Sequence, residues 1–382
     1  MLKFTRISSI YPEAVKLFEN KIHKKDFSYE QLLNEVFKFG FGEKDNISKE
    51  LLKKDYECNE IIANIKILQS KWLEEFLGKK NDKDILIKQI SYFKSNIVYF
   101  GNYSFLNKKF IQKLRKLDHI KLIIVFHCSP LTKKIQDKLK LADIIITCTN
   151  GYYLEIKKKL RKKTFLVHHA FNAPPKTQLK VKRRSIDLSF IGSLYMKSGL
   201  HINRVNLIYI LLKKFDKTYV GINSPLKNFY YFLSFLIKPN SNFIFSEKLK
   251  LIHKIIYILI YSKKAVYGKD MLKLLKKSKI LINSHIENTK YAGNMRLFEG
   301  TAMGCLVLTD NKIGLSTLFK VNKEIVVYKN LKDLVKKINF YLSNRKKLFF
   351  IANNGYKRTL QKHTYQNRVK TLDKVIKKNI IM

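Results

Sequence analysis

Cysteine, proline, glycine and tryptophan are all scarce in this chain of 382 residues, with four, six, fourteen and one copies. Each shortage excludes something. The cysteines are Cys58, Cys128, Cys148 and Cys305. No two form a CxxC pair, so neither a disulfide framework nor a zinc site is expected. Three of them sit in apolar, strand-like runs and read as buried thiols. So little glycine and proline excludes a fibrous or low-complexity chain. Long apolar runs are missing too. The longest are 229–237, broken by Ser234, and 255–261, whereas a bilayer crossing needs about 20 apolar residues. The opening MLKFTRISSIYP turns polar within a few residues, unlike a secretory leader. The expectation is a cytoplasmic protein, at most peripheral to the inner face of a membrane. Acidic residues are few, 29 against 76 basic ones, and the net charge is +47. Only ten of the basic residues are arginine. Lysine spread along the whole chain, beside much isoleucine and asparagine, reads first as compositional bias. Contact with an anionic membrane comes next. Specific nucleic-acid binding comes last, because readers of bases lean on arginine and no RNP, zinc-finger or helix-turn-helix signature is present.

What is present is enough apolar surface for two cores: 46% of the residues are aliphatic, aromatic or cysteine. The length fits two domains. Apolar runs at 2–7, 58–63, 96–100, 121–126, 143–148 and 165–168 alternate with helix-spaced segments. A second series follows at 187–191, 218–220, 279–283, 305–309 and 324–328. Strands that are apolar without alternation, separated by helices, predict α/β architecture with parallel sheets covered on both faces. Residues 172–185 hold Pro174-Pro175 and a basic run without apolar periodicity, and read as a linker. The expected domains are 1–176 and 185–364, with 365–382 a last helix that crosses back to the first domain. Residues 225–264, rich in Phe, Tyr, Ile and Lys, are expected to form two helices whose aromatic-basic stretch is core rather than a lipid-binding surface.

The most informative segment is 279–310, KILINSHIENTKYAGNMRLFEGTAMGCLVLTD. A buried strand enters a polar loop, the loop enters a helix bearing Arg296 and Glu299, the helix ends at Gly304, and another buried strand follows. In open α/β sheets ligands bind beyond the carboxyl ends of the strands. A helix N-terminus there favours phosphate, and a carboxylate one turn in suits a ribose diol. Gly192-Ser193, after the strand at 187–191, allows close backbone approach to a pyrophosphate.

The segment resembles the donor-binding signature of GT-B glycosyltransferases of the CgeB-like group (glycosyl transferases group 1), in Asn294, Arg296, Phe298, Glu299, Ala302 and Gly304. Tyr267–Met271, the DLSFIGS run at 187–193 with His201 and Arg204, and the tail residues Gly355, Arg358, His363-Thr364-Tyr365 and Arg368 extend the likeness. It implies a GT-B fold, two Rossmann-like domains with a donor cleft between them. It implies an enzyme that moves a sugar, hexosyl or related, from a nucleotide-diphosphate sugar to a carbohydrate or glycolipid acceptor held by the first half, as in surface polysaccharide or lipopolysaccharide synthesis. The donor-binding residues would be Gly192, Ser193, Arg204, His285, Asn294, Arg296 and Glu299. The nucleotide sugar would be a co-substrate, with no bound cofactor and no metal. The sequence departs from the retaining members at one point: where the first of their two glutamates is expected, seven to eight positions before Glu299, stand Tyr291 and Ala292, and neither is a carboxylate. A non-catalytic GT-B-like module that binds a nucleotide sugar or polysaccharide is therefore the alternative.

Blander readings stand beside these. Arg296 and Glu299 are spaced for an i,i+3 ion pair, Gly192-Ser193 for an ordinary turn, and His285 for a surface loop. His127, just after a buried strand, is the candidate general base, and a structural histidine at a strand end is its ordinary reading.

Overall fold

The computed structural model describes residues 1–22, 26–40, 42–179, 184–194, 201–222, 230–231, 233–234, 245–287 and 289–380. The chain divides into two units, one of Met1–Ala170 with His363–Met382 and one of Phe171–Lys362. Each is built on a six-stranded parallel sheet. Most of the segment 225–244, including residues 229, 232 and 235–237 of the aromatic run, falls outside the described residues. The part of that segment that is described further on is a helix, Phe245–Tyr261.

In the first unit the strands are β1 (Leu2–Ser8), β2 (Tyr56–Ile62), β3 (Ile97–Phe100), β4 (Leu122–Phe126), β5 (Ile144–Thr147) and β6 (Lys163–Leu166), in the order β2-β1-β3-β4-β5-β6. All pairs are parallel. Successive residues go to opposite faces, as the two-residue period of a strand requires. Ile97, Tyr99, Ile124 and Ile144 enter one core, and Val98, Phe100, Ile123 and Ile145 the other. The helix Tyr365–Asn379 seals the first of these cores with Val369, Leu372, Val375 and Ile376. Thr364 caps it through the Asn367 N–H at 3.3 Å, and the Tyr56 hydroxyl donates to Asp373 at 2.9 Å.

The second unit holds β7 (Ile186–Gly192), β8 (Thr218–Ile222), β9 (Lys263–Lys264), β10 (Ser278–Asn283), β11 (Leu306–Asp310) and β12 (Val326–Tyr328), ordered β12-β11-β10-β7-β8-β9. The chain runs outward from β7 through β8 to β9, then returns to β7's other side at β10 and runs out again. The strand order therefore reverses between β7 and β10, and in such sheets that crevice is where ligands bind. All six residues of β10 are buried. Ile280, Ile282, Leu306 and Leu308 face one core, and Leu281 and Val307 the other.

Two expectations need correction. Cys128 and Cys148 are not free thiols but are joined by a disulfide, with Cα atoms 5.7 Å apart. Twenty residues separate them in sequence, but β4 and β5 are neighbours and both cysteines lie just past the strand ends. The stretch read as a featureless linker contains a short helix, Lys176–Leu179, and an anchored arginine. Arg184 donates to the carbonyls of Leu275 (3.2 Å), Ser278 (2.6 Å) and Met303 (3.0 Å), which lie near the ends of two helices.

Candidate functional site

Gly192 ends β7 and Ser193 follows it, and Ser284 and His285 follow β10. Arg204, on the helix Ile202–Lys214, ties the two loops together: its guanidinium donates to the Ser193 and Ser284 carbonyls, both at 2.8 Å. The side chain is 7% exposed, and its centre lies 5.8 Å from the Phe190 ring. Burial pushes its pKa down to about 10, while Asp310, Tyr328 and Glu287 pull the other way. Among the described residues no carboxylate comes within ion-pair distance of it, and its Nε is buried without a hydrogen-bond partner. A buried cation left with an unused N–H is costly unless an anion answers it.

The loop after β10 is held by a polar chain across the strand ends. His285 donates from its backbone to Asp310 at 3.1 Å and from Nδ1 to Asp310 at 2.7 Å, and its Nε2 accepts from the Gly293 N–H at 3.4 Å. Burial works against the Asp310 carboxylate, but the hydrogen bonds from His285 outweigh it and hold its pKa below the ordinary value. The Asn283 amide donates to Thr309 at 2.9 Å, and Asn294 donates to Asn283 at 2.8 Å. Gly293 sits at φ +138°, a conformation that side chains rarely adopt, at the turn into the helix.

That helix is Met295–Ala302. Its N-cap residue, Asn294, makes no side-chain cap bond, and among the described residues its buried Oδ1 has no partner. The first N–H groups of the helix thus lack the usual side-chain acceptor. Arg296 donates from Nε to the Ile191 carbonyl at 2.9 Å, which pins the helix to the end of β7. Its Nη1 pairs with Glu299, so the i,i+3 ion pair forms. Glu299 is buried, 6% exposed, with Arg296 as its ion-pair partner. Ala292 is buried in the apolar core, its N–H bonded to Ile313.

Residues 247–374 match the model of the glycosyl transferase-like family. No curated protein sequence matches the chain. Solved structures do. A glycosyltransferase from Rickettsia africae aligns over 99% of this chain and 98% of its own, at 12% identity and a TM-score of 0.54. Sucrose-phosphate synthase from Thermosynechococcus elongatus aligns over 99% of both chains, at 9% identity and a TM-score of 0.57. HepE of Anabaena, solved in complex with UDP and glucose, aligns over 99% of this chain and 100% of its own, at 12% identity and a TM-score of 0.56. The chain has the GT-B glycosyltransferase fold.

Within this GT-B chain, the seven residues singled out for donor binding gather at the carboxyl ends of β7 and β10 and on the two helices that follow. His127 lies elsewhere, in the first unit past β4. Its backbone N–H bonds Ile146 and its Nε2–H donates to the Ser129 carbonyl at 2.8 Å. Burial lowers its pKa, and the Tyr103 ring packs edge-on against it at 5.5 Å. That geometry uses the ring to brace its own loop. Sequence reasoning missed Asp310 and Phe190. Asp310 carried a signal, being the acid that closes a buried strand. Phe190 carried none, because a core phenylalanine in a strand looks the same whether or not a guanidinium lies over it.

Among the described residues no helix is long and apolar enough to cross a membrane.

Proposed function

We propose that the chain is a glycosyltransferase that moves a sugar from a nucleotide-diphosphate sugar, held by the second unit, to a carbohydrate or glycolipid acceptor held by the first. The observation that carries this reading is Arg204: a buried guanidinium at the topological switch, short of one acceptor, flanked by the Gly192-Ser193 turn. A diphosphate supplies the missing anion. The uncapped N-terminus of the helix Met295–Ala302 adds a partial positive charge, and Glu299, already fixed by Arg296, accepts from the ribose hydroxyls. These groups meet the charge of the leaving diphosphate without a bound divalent cation, because Asp310 is spent on His285. We place the chain in the CgeB-like group and assign it to surface polysaccharide synthesis in the cytoplasm, peripheral to an anionic membrane.

The test is a thermal-shift screen against UDP, GDP, TDP and CMP sugars, followed by an assay for nucleotide release with the sugar that binds. A ligand at 100 times its dissociation constant stabilises by about 2.7 kcal/mol. Glu299→Ala is expected to weaken donor binding about 10- to 100-fold, the worth of a charge-assisted hydrogen bond, and to depress turnover while the protein stays folded. Binding without any nucleotide release, alone or with a range of acceptors, would instead describe a binding module.

A further inference from the structure

The carboxyl edge of the first sheet carries a second cluster of chemically capable side chains, in the other unit from the donor site. Cys128 lies two residues past β4, Cys148 one residue past β5, and His169 three residues past β6. The two sulfurs and one ring nitrogen of His169 all lie within 4.8 Å of one another. Their backbones are fixed. The His127 N–H bonds the Ile146 carbonyl and the Val167 N–H bonds the Thr147 carbonyl, each at 2.8 Å. His168 Nδ1–H donates to the Cys148 carbonyl at 2.8 Å. Arg368 donates to the His169 carbonyl at 3.0 Å, and the Phe126 ring packs at 5.6 Å from the imidazole.

One atom in this arrangement is unexplained. Among the described residues, the buried Nδ1 of His169 has no hydrogen-bond partner. Buried polar atoms without partners are rare, and a missing ion is one of the few ordinary reasons for them. The disulfide satisfies the two sulfurs but leaves Nδ1 unused.

We propose that Cys128, Cys148 and His169 form a site for a soft divalent cation, Zn²⁺ first, when the cysteine pair is reduced. Two thiolates and an imidazole are a zinc-type donor set, and the absence of oxygen ligands disfavours magnesium and calcium. The Cα separation of 5.7 Å between the cysteines lets the same pair close as a disulfide or open by a small side-chain movement around a metal. Two thiolates balance the two charges of the cation. Cys148 is buried, while Cys128 and His169 are half-buried. The chemistry closes. A phosphine or dithiol reductant gives two electrons, the S–S bond breaks and two thiols form. On metal binding each thiol releases its proton and the sulfur lone pair goes to the cation.

The experiment uses the full chain, treated with a phosphine reductant, stripped with a chelator and titrated with Co²⁺ as a visible stand-in for zinc. One equivalent of Co²⁺ is expected to give a sulfur-to-cobalt charge-transfer band that Zn²⁺ abolishes by displacement. The oxidised chain should give no band. Cys148→Ser should lose the band, and His169→Ala should bind at least about tenfold more weakly, with circular dichroism reporting on the fold of both. A reduced wild-type chain without the band overturns the proposal. So does a band unchanged by Cys148→Ser, or an affinity unchanged by His169→Ala. If a variant fails to fold, the comparison of reduced with oxidised wild type decides alone.

Discussion

Arg204 keeps a charge where burial lowers its pKa to about 10, and it does so beside another group that burial disfavours. His201, at the start of the same helix, is held down to about 3, by burial first and then by the Arg204 charge. Its ordinary value is 6.5. The folded protein therefore leaves this imidazole neutral where the unfolded chain takes up a proton. Stability is intact above the unfolded value and declines as pH falls from about 6.5 toward 3. From pH 7 to pH 5 the loss from this one group is about 2 kcal/mol. Denaturant titrations of wild type and His201→Gln at those two pH values check this: the variant should lose less by that amount, and equal losses would place the pH sensitivity elsewhere. At this scale the sequence was partly legible. Arg296 and Glu299 showed in their spacing within an apolar helix, and Arg204 showed as an arginine in a lysine-rich chain. Asp310's hold on His285, Arg184's grip on three carbonyls and the Cys128–Cys148 pairing joined residues 25, 91 to 119, and 20 positions apart. Spacing rules reach only along one element, so none of these was visible.

The helix Met295–Ala302 shows how an element is placed by one small residue. Gly300 lies on the face packed against β10 and β11, and a Cβ there would run into Leu281 and Val307. Neither can yield freely, because both are fully buried. Gly300→Ala is therefore expected to destabilise by about 1–3 kcal/mol through overpacking. For a unit of this size that lowers the melting temperature by about 2–4 °C per kcal/mol. It should also loosen donor binding, since the helix carries Asn294, Arg296 and Glu299. An unchanged melting temperature would mean that the helix stands off from the sheet. Strands and helices with strong apolar patterns were legible as elements, β10 and the helix after it above all. The two-residue β9 and the four-residue helix Lys176–Leu179 were not, because neither is long enough to establish a period.

At the scale of the molecule, strand–helix alternation announced two parallel sheets, because strands buried on both faces must be apolar throughout. The order of strands was not legible. It depends on which side of β7 the chain returns to, and no residue in the return segment states that. The first unit is completed by residues 363–382, whose Val369, Leu372 and Ile376 fill its core. The strand reversal between β7 and β10 is what brings Arg204 between two loops. The most direct measurement is calorimetric titration of nucleotide-diphosphate sugars into the full chain, as wild type and as Arg204→Met, with melting curves confirming that both are folded. The account predicts that at least one such sugar binds the wild type with one-to-one stoichiometry, and that the neutral methionine weakens it at least about tenfold, as expected when a charged hydrogen-bond donor is lost. Binding of equal strength by the folded methionine variant, or no binding of any nucleotide-diphosphate sugar by the wild type, would contradict it.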